Sequence, residues 1–378
     1  MSEKKRQHFV PKFYMRQFSP DTALPVKERK TINLLNLPKG KVIRNAGLKE
    51  QCYRDYFYGK DLVRENEFAE QEGLTQPVFS RIIANRQPPA YGSLDHLVMA
   101  LFVHAQAFRT EQAARKIRET DEKVNAEIMR MEDVGERARL KALVKRDNHV
   151  NAALWYSQKH FALLLDLECK LLVAGDGLEF ATSDHPAVLY NQLFEFWDES
   201  SHTGLGSVGL QIFYPLSPKL TLVMFDSNVY HYGRRDERVI HAKDRRDVRA
   251  LNALQVVSAN TNVYFQTDAC EPFVALQQGR PFIRKELAKL IVVPEPTGLR
   301  MGITAYDVKT NLSLSFIHVK KAGKLFAERF KAYARKPKRL IRNRELWHDH
   351  DRFCDEVAAG RLKASDVFSV LGHHFFRG

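Results

Sequence analysis

The chain has 378 residues, 44% of them hydrophobic, enough to bury a substantial core. Its longest apolar runs, such as Leu163 to Leu165 and Leu220 to Phe225, fall far short of the roughly 20 residues of a membrane helix, and no apolar segment follows the basic start at Lys4, Lys5 and Arg6, so neither a membrane span nor a secretory leader is expected. Four cysteines without CxxC spacing point to reduced thiols in a cytoplasmic protein, and the formal charge of +14 favours polyanionic partners, nucleic acid (DNA or RNA) first among them.

The elements follow in chain order. Gln7 to Ser19 packs a histidine, a proline, four aromatics and an arginine into a short stretch, too apolar for a frayed terminus. Thr31 to Leu37 is rich in strand formers and ends at Pro38-Lys39-Gly40, a turn. Asp61 to Asn85 repeats apolar residues at helical spacing, and Leu94 to Met131 reads as one long helix with Ser93 as its N-cap. The stretch from Arg118 to Lys145 is so charged that it should form an exposed helical hairpin or a projecting arm; a further helix is expected over Val150 to Leu167.

Beyond Leu167 the pattern changes to strand, turn, strand. Lys170 to Ala174 and Leu178 to Thr182 flank Gly175-Asp176-Gly177 like a hairpin, and Leu210 to Tyr214 and Leu220 to Phe225 continue the sheet. A helix over Asp244 to Ala259, strands at Val263 to Gln266 and Leu312 to Val319, and helices over Ala322 to Ala334 and Glu345 to Ala358 complete the chain. The fold class is therefore α+β, a helical block followed by a mostly antiparallel β-sheet with a helical C-terminal extension. One domain should span 1–320, helical over about 61–167 and sheet over about 168–320, with 321–378 as a basic helical extension.

Several polar residues stand where core is expected. Gln106 and Arg109 share a helix face with Val98 and Phe102, so the Arg109 guanidinium needs a carboxylate from another element, and Glu72 is the best placed of Glu67, Glu70 and Glu72. Asp184 and His185 follow a strand and precede Pro186, a position that suits either a metal ligand or base, or a turn cap. Asn252 and Gln255 face inward on the helix from Asp244. His350 and Cys354 are four apart on a helix, but no second pair of matching spacing completes a metal site, and His373-His374 adds none. Arg335-Lys336-Pro337-Lys338-Arg339 is the densest basic run, with Arg234 to Arg249 a second.

The pattern Gln7-His8-x-Val10-Pro11-x-x-Tyr14-x-Arg16-x-Phe18-Ser19, then Gln106-x-x-Arg109-Thr110, then Thr182-Ser183-Asp184-x-Pro186, with Pro215-Leu216-Ser217-Pro218, resembles a bacterial domain-of-unknown-function family. The resemblance covers roughly residues 7–265. Met15 replaces the usual leucine of the opening motif, and His185 stands where the family more often has asparagine. It implies an accessory or defence role and brings no established reaction.

Two functions follow. In one the polar motifs form a structural network in a nucleic-acid-binding or regulatory component, with Arg16, Arg335, Lys336, Lys338 and Arg339 on the nucleic acid and a protein partner also conceivable. In the other the chain is a metal-dependent nuclease: Asp184 and Glu72 hold Mg²⁺ or Mn²⁺, His8 serves as acid or base, and Arg109 steadies the phosphate.

Overall fold

The computed structural model describes residues 5–144, 146, 148–280, 286–295, 298–333, 340–363 and 366–375. The chain opens with β1 (Arg6–His8) and a single helical turn, α1 (Lys12–Met15). A hairpin follows, β2 (Thr31–Asn36) and β3 (Lys41–Gly47), which turns at Gly40 with a φ of +58° that glycine adopts without strain. The short β4 (Tyr53–Asp55) then returns to pair antiparallel with β1.

The helical block comprises α2 (Val63–Asn85), α3 (Leu94–Phe108), α4 (Glu111–Ile128), α5 (Val134–Val144) and α6 (His149–Gln158). The single helix expected over Leu94 to Met131 is two helices. Thr110 adopts an extended backbone and its side chain accepts from Ala113 N, so it caps a new helix and breaks the old one at Arg109. The charged stretch forms a hairpin, with α5 folding back on α4. The helix expected to reach Leu167 ends at Gln158, and a 3₁₀ turn over Phe161–Leu164 follows.

The sheet half contains β5 (Glu168–Ala174), β6 (Thr182–Ser183), β7 (Val188–Tyr190), β8 (Gln211–Ser217), β9 (Leu220–Phe225), β10 (Tyr230–Tyr232), β11 (Val239–Ala242), α7 (Arg245–Ser258), β12 (Asn262–Phe265), α8 (Glu271–Gly279), β13 (Ala288–Glu295), β14 (Gly298–Ala305) and β15 (Ile317–Val319). A five-stranded sheet runs β11-β5-β9-β8-β7 and is antiparallel except between β11 and β5. A four-stranded antiparallel sheet runs β3-β2-β12-β6, uniting the N-terminal hairpin with the later half of the chain. The fold is α+β.

The hairpin expected between Lys170 and Thr182 does not form. β5 is flanked by β9 and β11, while the chain after Gly177 crosses to the other sheet and contributes only Thr182 and Ser183 as a strand. The intervening backbone is bound elsewhere. Ala181 N donates to Asn252 Oδ1 (2.8 Å), Asn252 Nδ2 donates to Glu179 O (2.9 Å), and Phe180 N donates to Pro218 O (2.7 Å). The strand expected from Leu312 shrinks to β15 because Asp247 takes the amide and hydroxyl of Ser315.

The C-terminal segment carries α9 (Lys321–Ala332), α10 (Arg344–Ala358) and α11 (Val367–Leu371). It is packed into the molecule: Leu346, Phe353, Leu371 and Phe375 join Phe102, Leu164 and Tyr214 in one core cluster. Arg342, from the end of the basic run, turns inward and grips Asp166 with two hydrogen bonds, while also donating to the carbonyls of Leu163, Leu205 and Ser207.

Candidate functional site

The opening motif is held by its own polar groups. Gln7 is sealed in: its Nε2 donates to Gly59 O (2.8 Å) and its Oε1 accepts from Tyr58 N (2.6 Å). His8 Nδ1 donates to Gln51 O (3.0 Å), because a carbonyl can only accept. Burial, and then the charge of Lys12, push the His8 ring down to about 4, so it is neutral at pH 7. Phe9, Tyr14 and Phe18 are buried and Phe13 packs against the same core. Arg16 is partly buried, and its Nε is sealed without a hydrogen-bond partner.

Tyr14 joins the opening motif to the strand-end motifs. Its hydroxyl donates to Pro215 O (2.7 Å) and therefore accepts from Thr182 Oγ1 (2.6 Å), and its ring stacks on Tyr214. Burial raises its phenol far above the ordinary value.

Arg109 ends α3 and is fully buried, at 0% exposure. Its Nη2 lies 3.0 Å from Glu72 Oε1 on α2, the carboxylate of this pair being 29% exposed. Phe68, one turn before Glu72, places its ring 4.6 Å beneath the guanidinium. With the Gln106 amide turned so that its oxygen faces the guanidinium, it accepts from Nε and Nη2, both at 2.6 Å. Nη1 alone is buried without a partner. Tyr58 spans the gap to the opening segment, its hydroxyl 3.5 Å from His8 O and 3.4 Å from Arg109 O.

The next residue continues the chain of bonds. Thr110 Oγ1 and His185 Nδ1 are 2.6 Å apart, so the cap of α4 is tied to the strand end. Beside His185, both oxygens of Asp184 are engaged: Oδ1 accepts from Asn260 N (2.8 Å), and Oδ2 from Thr261 N (2.8 Å) and Asn262 N (3.0 Å). Burial pushes this carboxyl up to about 7, while the three amide donors pull in the opposite direction. Ser183 donates to Gln255 Oε1 (2.8 Å), and Gln255 Nε2 donates to Pro186 O (3.0 Å).

Among the proposed site residues, then, Arg109 and Glu72 meet directly. His8 reaches Arg109 only through Tyr58. Asp184 connects only through the neighbouring Thr110–His185 contact and faces the turn before β12. A cleft lined by Glu111, Arg115, Arg118, Glu119, Glu122 and Asn260 runs beside this turn. Arg335, Lys336, Lys338 and Arg339 lie outside the described residues.

Among the described residues, the groups of three or more metal-capable side chains lie away from Asp184 and Glu72. They are His160 with His350 and Cys354, and Asp349 with His373 and His374. The sequence shows the helical pair His350 and Cys354. It gives no hint of His160, which comes from the turn after α6, far earlier in the chain.

The arrangement is that of an α+β protein whose motif residues knit four segments together. The family model described as Protein of unknown function (DUF4238) matches residues 6–269, most of the chain, and the protein belongs to that family. No curated protein and no solved structure matches it. Among the described residues no helix is long and apolar enough to cross a membrane.

Proposed function

We propose that the protein is a nucleic-acid-binding or regulatory component, of the accessory or defence type, in which the motif residues are architecture and surface cations hold the phosphate backbone. The observation that carries this reading is a band of cations around β11 and the start of α7. Arg234, Arg235, Arg238, Lys243, Arg245, Arg246 and Arg249 are all exposed there. The acids of the same stretch are largely engaged. Asp244 caps α7 and pairs with Arg246, Asp247 is buried on Ser315, and Glu237 accepts from Arg234 N. Phosphates arriving at this edge would meet mainly positive charge.

A nuclease using Asp184, Glu72, His8 and Arg109 with Mg²⁺ or Mn²⁺ is the alternative. It would first have to release Asp184 from three amides and Glu72 from Arg109. That cost favours the architectural reading.

The test is fluorescence anisotropy with labelled single-stranded DNA, duplex DNA and RNA across a salt series. Replacing Arg234, Arg235, Arg245 and Arg249 with Ala should weaken binding to all sequences alike and flatten the salt dependence, by roughly 0.7–0.9 in log–log slope for each phosphate no longer neutralised. An unchanged slope removes this band from the interface. Incubation of wild type and Asp184→Ala with the same nucleic acids and Mg²⁺ or Mn²⁺ separates the alternative: cleavage by wild type that the substitution abolishes would establish it.

A further inference from the structure

α10 presents His350 and Cys354 on one face, and the turn after α6 brings His160 against that face. Each of the three offers one ligand atom, and these atoms lie within 4.8 Å of one another. The two imidazole rings are 5.1 Å apart between centroids. His350 is fully buried, and its Nε2 lies 2.6 Å from the carbonyl of Lys159. A carbonyl only accepts, so Nε2 carries the hydrogen and Nδ1 of the neutral ring keeps its lone pair. Cys354 Sγ lies 3.5 Å from Nε2 and 4.0 Å from Nδ1, within reach of either ring nitrogen. A ring nitrogen fixed on a backbone carbonyl is the way proteins orient metal-binding histidines, leaving the other nitrogen as the ligand.

We propose that His160, His350 and Cys354 bind one Zn²⁺-class cation, with a fourth position open to water. The donor set makes the choice of metal. One thiolate and two imidazoles suit Zn²⁺ and are poor ligands for Mg²⁺ or Ca²⁺, which take oxygen. Ligand separations about a tetrahedral zinc are roughly 3.3–3.6 Å, from bonds of about 2.0–2.3 Å. The cluster therefore closes by about 1 Å through side-chain rotation. The bound cation would pin α10 to the Lys159–His160 turn, locking the C-terminal segment onto the helical block. Asp349 of the same helix forms a competing cluster with His373 and His374 from the turn after α11, but it lacks a thiol, and His374 already pairs with Asp349 at 3.0 Å.

The full-length protein, stripped with chelator under reducing conditions, is titrated with Co²⁺ and then with Zn²⁺. One equivalent of Co²⁺ should give the intense visible bands of tetrahedral coordination and a near-ultraviolet thiolate charge-transfer band, both removed when Zn²⁺ displaces it. Cys354→Ser should abolish the charge-transfer band. His160→Gln should weaken binding by more than the roughly 10–100-fold that loss of an outer-shell partner costs, and His373→Ala should leave affinity and spectrum unchanged. Circular dichroism verifies the fold of each variant. Absence of the charge-transfer band in folded wild type, its survival in Cys354→Ser, or loss of binding in His373→Ala overturns the proposal. Should Cys354→Ser not fold, an unchanged Co²⁺ affinity in His160→Gln overturns it.

Discussion

Arg109 and Glu72 differ in one respect that fixes how their loss should be felt: the guanidinium is 0% exposed and the carboxylate 29%. Glu72→Ala leaves a cation in the core with only Gln106 O and the face of Phe68 as company. Breaking a buried pair by removing one partner costs about 3–5 kcal/mol, and water reaching the vacated position lowers this to about 3. Arg109→Met leaves a carboxylate that can rehydrate, at the loss of one charge-assisted hydrogen bond and the bonds to Gln106, for about 2 kcal/mol. Glu72→Gln keeps an acceptor for Nη2 and should cost about 1.5 kcal/mol. The double variant Arg109→Met with Glu72→Gln should be less destabilised than the sum of its parts, because neither stranded partner remains. Urea unfolding followed by circular dichroism, with the denaturant slope checked for constancy, gives all four values. If Arg109→Met proves more destabilising than Glu72→Ala, the argument from unequal burial is refuted.

Two further outcomes follow from the same geometry. Asp184→Asn sets an amide nitrogen against a ring of three backbone donors, leaving at least one of them unsatisfied, so stability should fall by about 2 kcal/mol in the same urea assay; a change under about 0.5 kcal/mol would show that the turn does not depend on this carboxylate. Burial lowers the His104 imidazole to about 4. The folded value lies below the unfolded one of 6.5, so the stability it contributes is present above pH 6.5 and is lost as pH falls towards 4. The ceiling is about 3 kcal/mol. His104→Gln should flatten the fall in stability over that window, and an unaltered pH profile would place the acid sensitivity elsewhere.

Legibility in the sequence followed the range of the forces involved. β9 matches its expected span of Leu220 to Phe225, because an uninterrupted apolar run bounded by turn residues is a local signal. α7 does likewise, since Asp244 at the cap is read from neighbouring residues. The break at Thr110 is hidden because helical spacing continues through it: Ala113 and Ala114 keep the apolar phase while one hydroxyl restarts the helix. The hairpin after Gly177 fails for the opposite reason. Its local pattern is sound, but Asn252, some seventy residues on, takes the backbone groups the ladder would have used. β13 and β14 are absent from the expected elements, although Leu290 to Val293 is an apolar, β-branched run that ends at Pro294. That Arg109 meets a carboxylate is a matter of desolvation and can be read in advance; that Asp184 faces three amides depends on a turn formed much later in the chain.

The same contrast bears on where chemistry can reside. The motif residues singled out in the sequence are held through most of their polar atoms: Gln7 on the Tyr58 and Gly59 backbone, Tyr14 on Thr182 and Pro215, Thr110 on His185, Asp184 on the Asn260–Asn262 amides. Such a network fixes the N-terminal segment, the α3–α4 break and the end of β6 relative to one another, with Arg16 Nε and Arg109 Nη1 as its unsatisfied atoms. A general base or metal ligand has to exchange partners during a reaction, and these groups could do so only by loosening the scaffold they hold. Side chains outside that scaffold stand instead at the edge around β11 and on α10, marked in the sequence only by a basic run and by the spacing of His350 and Cys354. His160 illustrates why. Its candidate partners lie 190 and 194 residues downstream, and only the packing of α10 onto the end of α6 brings them within reach.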